Sequence, residues 1–343
     1  MKTGSRQCLI LANLKAGALS RYEAMARLRE RCARFLGIPP KRHTAFVVPP
    51  SLEMLNDVAE QAGVLVCVEA APPLAQLTQR LHAAVHEGID TIVAVGGDGT
   101  VETFVKALLH DDLRDKLTLG VLPLGTANNV ARALNIPFAL ESAMRLLADG
   151  VDQQIDIGQI TNEACDEYFV EAAGVGLFAD AVQEFGAGEV RPWQIVRLLK
   201  VLVPLFWNVH SRTLSLKLDG VQEQDEATLV MIANSPFIGE GFTLTPQATV
   251  TDGVFDILIV GALSRHELLS FLYHVWRGTH MQLPYVRRVQ AKQIEIRRIH
   301  SGHRALPIHA DDHIVAHTPV TVTTLPRAIR VIVPAAETPT VKT

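Results

Sequence analysis

The sequence predicts an α/β fold, with a doubly wound N-terminal domain followed by an antiparallel, β-rich C-terminal domain of sandwich or barrel type. Three observations carry that prediction. Up to Gly150, apolar β-branched runs alternate with helical stripes in a βαβα series. Glycine-rich turns stand where a strand ends and a helix begins, at Gly96-Gly97-Asp98-Gly99-Thr100 and at Leu124-Gly125-Thr126-Ala127-Asn128. Beyond Gly150 the pattern changes to short alternating runs, such as residues 213–218 before the hairpin-like pair Asp219-Gly220.

In chain order, Gln7–Ala12 reads as the first strand, followed by a turn over residues 13–17. Ser20 caps an expected helix over 21–36, whose apolar stripe is Ala24, Leu28, Cys32 and Phe35. Residues 37–53 are proline-rich and read as an irregular excursion. A strand over 64–68 precedes the helix Leu74–His86, with Leu77, Leu81 and Val85 on one face. Residues 90–95 form a continuous, β-branched run, as expected of a strand buried on both faces of a parallel sheet. Thr100 then caps a helix over 101–109, a strand follows at 119–122, and Thr126 caps a helix over 127–134. In the second domain strands are expected at 213–218, 228–233, 255–260, 293–299, 314–317 and 320–324, with helices at 265–276 and 193–203. The domains are placed at 1–152, with 326–343 returning to it, and at 153–325.

At 343 residues the length suits two domains, and 48% hydrophobic with 20% charged residues is a globular composition. A net charge of −4 gives no general attraction to nucleic acid, so no nucleic-acid partner is expected. Cys8, Cys32, Cys67 and Cys165 are scattered with no CxxC pair, which fits reduced thiols in the cytoplasm. The most apolar window, 195–207, is broken by Arg197, Lys200 and Pro204 and is too short to span a bilayer. A cytoplasmic protein, at most peripheral at the inner membrane surface, is expected.

The two glycine turns carry the chemistry. Gly96, Gly97 and Gly99 bend the backbone and leave no side chains over the peptide N–H groups. A helix starting there adds its positive end, so the amides of Gly97, Gly99 and Thr100, together with Thr126, form a candidate phosphate cradle. Asn128 and Arg132 share a face near the start of the second helix. Paired turns at the carboxyl ends of neighbouring parallel strands form the crevice where open sheets bind ligands. A single such turn also occurs with no ligand at all.

With those residues on the page, the chain resembles the bacterial diacylglycerol kinase family of lipid kinases, relatives of sphingosine and ceramide kinases. Asn13-Leu14-Lys15-Ala16-Gly17 is similar to the family's first-strand turn, with Leu14 in place of proline. Gly96 to Thr100 and Leu124 to Asn128 resemble its two nucleotide turns. Val175-Gly176 and Ala179 resemble the start of its second domain, and Asn234, Gly239, Gly241, Pro246, Ala248 and Asp252-Gly253 resemble a later segment. NAD kinases and phosphofructokinases share Gly-Gly-Asp-Gly, but the Leu-Gly-Thr-Ala-Asn stretch with its following Ala-Arg favours the lipid kinases.

The resemblance implies a nucleotide-binding α/β domain and a β-rich lipid-binding domain with the active site between them, using ATP and Mg2+. It places nucleotide contacts at Gly96, Gly97, Asp98, Gly99, Thr100 and Glu102, and at Gly125, Thr126 and Asn128. Asp98 holds a metal ion or its waters, or alternatively caps a helix. A structural magnesium is implied at Asp252 with neighbouring carbonyls, flanked by Thr249 and Val254; a plain turn aspartate is the competing reading. The chain departs from the family pattern at Glu102 and Thr103, which replace asparagine and glutamate, and at Asn129, which replaces aspartate. The family's Asp-Gly-Glu becomes Asp311-Asp312-His313, so His313 takes the place of the general base, with Asp311 as its orienting partner or substitute.

His309, Asp311, Asp312, His313 and His317 also permit a transition-metal site, since 309, 311, 313 and 317 would share a face of one strand. For lipid access, residues 193–207 and the basic run Arg287, Arg288, Lys292, Arg297, Arg298 and Arg304 are candidates; a core helix and a solvated strand face are the alternatives. The leading expectation is an ATP-dependent kinase phosphorylating a lipid hydroxyl, with a lipid substrate at a membrane surface. A non-catalytic nucleotide or lipid sensor of the same fold, and a kinase of a small soluble alcohol or nucleotide, stand beside it. The oligomeric state is open, a homodimer among the options.

Overall fold

The computed structural model describes residues 6–13, 52–61, 65–72, 74–110, 113–185, 206, 209–239, 242–299 and 305–335. The helix expected over 21–36, most of the proline-rich excursion, the helix expected over 193–203, Gly241 and Arg304 lie outside them. Two compact units are present, one of residues 1–153 with 329–343 and one of residues 154–328.

The first unit contains strands β1 (Gln7–Ala12), β2 (Leu65–Ala70), β3 (Thr91–Gly96) and β4 (Thr118–Pro123). Its helices are α1 (Leu52–Gln61), α2 (Leu74–His86), α3 (Asp98–His110), α4 (Asn129–Ala133) and α5 (Leu140–Asp149). All pairings are parallel, in the order β2-β1-β3-β4, with Cys8 facing Thr91 and Ile92 facing Leu119. Every residue of β3 and β4 is buried, which accounts for their unbroken apolar character. One core gathers Ile10, Val93 and Leu122 with Leu55 of α1 and Met144 and Leu147 of α5. The alternate side chains Leu9, Leu11 and Ile92 are equally buried, so helices cover both sheet faces.

The second unit contains β5 (Val151–Asn162), β6 (Cys165–Phe169), β7 (Ala172–Gly176), β8 (Arg212–Leu218), β9 (Val221–Ala233), β10 (Phe237–Ile238), β11 (Phe242–Thr243), β12 (Phe255–Gly261), β13 (Val286–Ala291), β14 (Gln293–Arg298), β15 (Pro307–Ala310), β16 (His313–His317) and β17 (Val320–Val333). Helix α6 is Leu177–Phe185 and α7 is Arg265–Arg277. Antiparallel pairing runs β16-β15-β7-β9-β8-β14-β17, while β12 joins β9 to β13 and β5 pairs β6 and β17. The β8–β9 hairpin turns through Asp219 and Gly220, both at positive φ, as the sequence pair predicts. Phe169, Phe255, Ile294 and Ile308 centre its core. The last residues of β17 belong to the first unit, where Val331 pairs in parallel with Leu119 of β4.

Three expectations are corrected. Helix α3 begins at Asp98, so Thr100 lies inside its first turn and does not cap it. Helix α4 begins after Asn128, whose backbone is left-handed at φ 52, and Thr126 is not its cap. Asp311 and Asp312 form the turn between β15 and β16, so His309 and His313 stand on separate strands and the one-strand metal face does not exist.

Candidate functional site

The glycine turns after β3 and β4 lie backbone against backbone. A Cβ added at Gly97 would sit 2.9 Å from the Cα of Gly125, and one at Gly125 would come closer still to Gly97 and within 2.6 Å of Asn128 Oδ1. Neither glycine has positive φ, so it is this abutment that requires them. Gly96 is held in the same way by the Thr100 side chain, whereas Gly99 faces open space.

Hydrogen bonds then fix both turns. Asn128 Oδ1 accepts from the Gly125 N–H at 2.8 Å, and its Nδ2 donates to the Pro123 and Gly125 carbonyls. The N–H groups of Thr100 and Val101 donate to the Gly97 carbonyl. Asp98 Oδ1 accepts from the Val130 N–H at 3.0 Å, tying the first turn to α4. Asn13, at the end of β1, donates from its side chain to Thr100 Oγ1 at 3.1 Å. Three loops thus meet at the carboxyl edge of β1, β3 and β4, where open α/β sheets take their ligands.

Among the expected nucleotide residues, Gly96, Gly97, Asp98, Gly99, Thr100, Gly125, Thr126 and Asn128 therefore come together. The amides of Gly125 and Thr100 and the side chain of Asn128 are engaged within the turns, which makes them builders of the site. Glu102 is buried on α3, and its carboxylate pairs with Lys106 one helical turn on, at 2.9 Å. Asn129 is 1% exposed.

In the second unit, Asp311 sits at φ 47, and its carboxylate accepts from the N–H groups of Val170, Glu171 and Ala172 at 2.9–3.1 Å. It ties the β15–β16 turn to the β6–β7 connection. His313 follows at the exposed start of β16. His309 is fully buried; its Nδ1 lies 3.3 Å from the Asp311 carbonyl, and its Nε2 has no hydrogen-bond partner. Burial pulls the His309 imidazole down to about 4 from 6.5, the bond to Asp311 opposing it. Between those values the unfolded chain takes up a proton that the folded unit refuses. Stability contributed by neutral His309 is therefore full above 6.5 and lost as pH falls toward about 4. The loss is expected to reach on the order of 3 kcal/mol. Urea midpoints measured across that range are expected to fall less steeply for His309→Gln.

Around Asp252 three carboxylates converge. Asp252 Oδ1 accepts from the Val254 N–H at 3.2 Å. Asp156, which is 0% exposed, accepts from the N–H groups of Gly253 and Arg327. Asp256 pairs with Arg288, while its Oδ2 is buried without a hydrogen-bond partner. Partial burial raises the Asp252 carboxyl above its ordinary range; the Val254 N–H lowers it, and Asp256 and Asp156 raise it further. Arg288 offsets Asp256, so Asp156 and Asp252 carry the negative charge that a cation would meet here. Among the described residues no group of three or more His, Cys, Asp or Glu has metal-holding geometry, and the expected ligand set here is one carboxylate with the Thr249 and Val254 carbonyls. Asp156 escaped the sequence reading, although a lone aspartate between Ile155 and Ile157 was its signal.

The basic run is largely neutralised. Arg287 pairs with Glu223 and Asp225, Arg288 with Asp256, and Arg297 with Glu295. Among the described residues no helix is long and apolar enough to cross a membrane.

Comparison with known proteins bears on the family and the fold. A family model described as "Diacylglycerol kinase catalytic domain" matches residues 51–160, and one described as "YegS C-terminal NAD kinase beta sandwich-like domain" matches 186–333. The chain is 28% identical over 258 residues to a diacylglycerol kinase of Mycobacterium tuberculosis (strain CDC 1551 / Oshkosh), covering 74% of this chain and 80% of that one. It is 29% identical over 278 residues to a diacylglycerol kinase of Staphylococcus aureus (strain JH9), covering 80% and 84%. A crystal structure of a diacylglycerol kinase from Bacillus anthracis str. Sterne shares the fold with a TM-score of 0.64 at 18% identity, covering 98% of this chain and 99% of that one.

Proposed function

Because the chain belongs to the bacterial diacylglycerol kinase family, we propose that it transfers the γ-phosphoryl group of ATP to a hydroxyl of a diacylglycerol-like lipid. The chain is an ATP-dependent kinase with an alcohol acceptor. The observation that supports the finer reading is the abutment of Gly97 and Gly125, which brings two glycine turns to one sheet edge. The amides of Gly97, Gly99 and Thr126 receive the triphosphate, and the start of α3 adds its positive end. Asp98 would hold magnesium or its waters, while its Oδ1 anchors α4 through the Val130 N–H. Asp252 with the Thr249 and Val254 carbonyls would hold a structural magnesium, which would relieve the charge shared with Asp156 and Asp256. Magnesium, when bound to the nucleotide, spreads the charge of the transferring phosphoryl group. His313 accepts the acceptor's proton, and Asp311 sets the turn that presents it.

Incubation of the purified chain with labelled ATP, magnesium and a panel of dispersed diacylglycerol, other lipid alcohols and glycerol tests the proposal. Label is expected in lipid. Transfer only to water-soluble acceptors would overturn the lipid assignment. A second reading, a non-catalytic nucleotide or lipid sensor of the same fold, is favoured by Thr103, Asn129 and His313 standing where the resemblance implies carboxylates; ATP binding with no transfer to any acceptor would establish it.

A further inference from the structure

Helix α7 is amphipathic twice over. Its inner side buries Leu268 and Phe271 against Leu244, Leu258 and Val260. Its outer side carries Leu269, Tyr273 and Trp276, which are 52%, 53% and 72% exposed. Their spacing puts them on one line along the helix. Phe242, 53% exposed, stands on β11, which packs beside this helix. Among the described residues of the second unit, Val221 at a hairpin tip is the other large apolar side chain so exposed. Large apolar exposure is therefore concentrated here, where an ordinary soluble surface scatters it.

Chemistry selects the occupant. The patch is aromatic, and Tyr273 and Trp276 lie 6.2 Å apart with rings that present both an apolar body and a polar edge. Such side chains favour the headgroup level of a bilayer. Exposed Arg265, His266 and Arg277 lie on the same helix. Its one acidic residue, Glu267, is tied into the capping box with Ser264. The helix thus offers aromatic rings with cations at both ends, the complement of an anionic membrane surface. Ser264 fixes its start and left-handed Gly278 its end, so the patch is presented ready-made.

We propose that the outer face of α7, with Phe242, is the surface by which this kinase docks on anionic lipid bilayers. The proposal rests on the lipid-kinase reading and names the surface that reading requires. The test compares the intact chain with Tyr273→Ser/Trp276→Ser, both sites being exposed. Cosedimentation with phosphatidylglycerol-containing vesicles is measured together with turnover of vesicle-embedded and of monomeric short-chain diacylglycerol. Vesicle affinity and kcat/KM on embedded substrate are expected to fall by about 10- to 100-fold in the double variant. Turnover of the monomeric substrate is expected to stay unchanged. Equal vesicle binding by the two proteins would overturn the docking surface. So would a change from dimer to monomer on sedimentation with vesicle binding intact, which would make this face a subunit interface. Vesicle binding lost in the variant while neither protein phosphorylates any lipid would uphold the surface and sink the lipid-kinase reading instead.

Discussion

Gly125→Ala is expected to abolish measurable ATP binding and to lower phosphotransfer by about 100-fold or more, since displacing a positioned group by about an ångström already costs that much. The added methyl has nowhere to go: the Gly97 backbone and Asn128 Oδ1 occupy its place. Backbone cannot rotate aside as a flexible side chain does, so the two turns must part. Parting breaks the bond from the Gly125 N–H to Asn128 and strains the one from Val130 to Asp98. Crowding of this kind costs about 1–3 kcal/mol, so the melting temperature should also fall. Gly99→Ala is the control for stability alone. Its Cβ meets nothing within 4 Å, and alanine is the better helix former, so stability should hold or rise. Calorimetric titration with ATP and magnesium, alongside thermal unfolding of both variants, checks the pair.

His313→Ala is expected to reduce kcat on a confirmed lipid acceptor by about 10²–10⁴-fold, the usual contribution of a positioned base. ATP affinity should be unaffected, because the glycine turns proposed to bind it belong to the other unit. His313 is exposed at the start of β16, so its removal leaves the core intact and the loss cannot be ascribed to unfolding. His313→Glu should retain much of the activity, since a carboxylate stands there in the family. Unchanged turnover in His313→Ala would remove the residue from the mechanism. Asp311→Ala should behave differently, lowering stability, because three N–H groups lose their acceptor at once.

The parts of this fold that could be read from sequence were those in which one physical demand dominates. Residues of β3 and β4 are buried on both sides, so their apolar runs announce them. Helix α2 was legible to its ends because Leu77 and Leu81 keep helical period between turn residues. Helix α1 was hidden behind Pro49 and Pro50, although Leu55 and Ala59 supply its buried side. Strand β13 was read as a basic stretch, because its arginines meet acidic partners on β9 and β12 that adjoin it only in three dimensions.

The site divides in the same way. The glycines were visible as glycines, but the reason for two of them lay in each other, and contact between turns distant in sequence leaves no local trace. Asn128 was visible as a motif residue, while its role as the clasp of its own turn required coordinates. Asp311 looked like a companion for His313 because they are neighbours in sequence; its carboxylate instead grips amides well over a hundred residues away. Helix starts were misplaced at Thr100 and Thr126 because capping rules assume a side-chain acceptor, and here Asn128 precedes α4 with no such bond.

The route of β17 has a consequence for how the protein is made. Val331 and Ile332 complete the sheet and core of the first unit, yet they are translated after the entire second unit. On the ribosome the first unit therefore stays one strand short along the edge of β4 until the end of β17 has left the exit tunnel. A fragment cut at the unit boundary inherits the same deficit permanently, and only supplying the missing strand in trans or by circular permutation would make it whole.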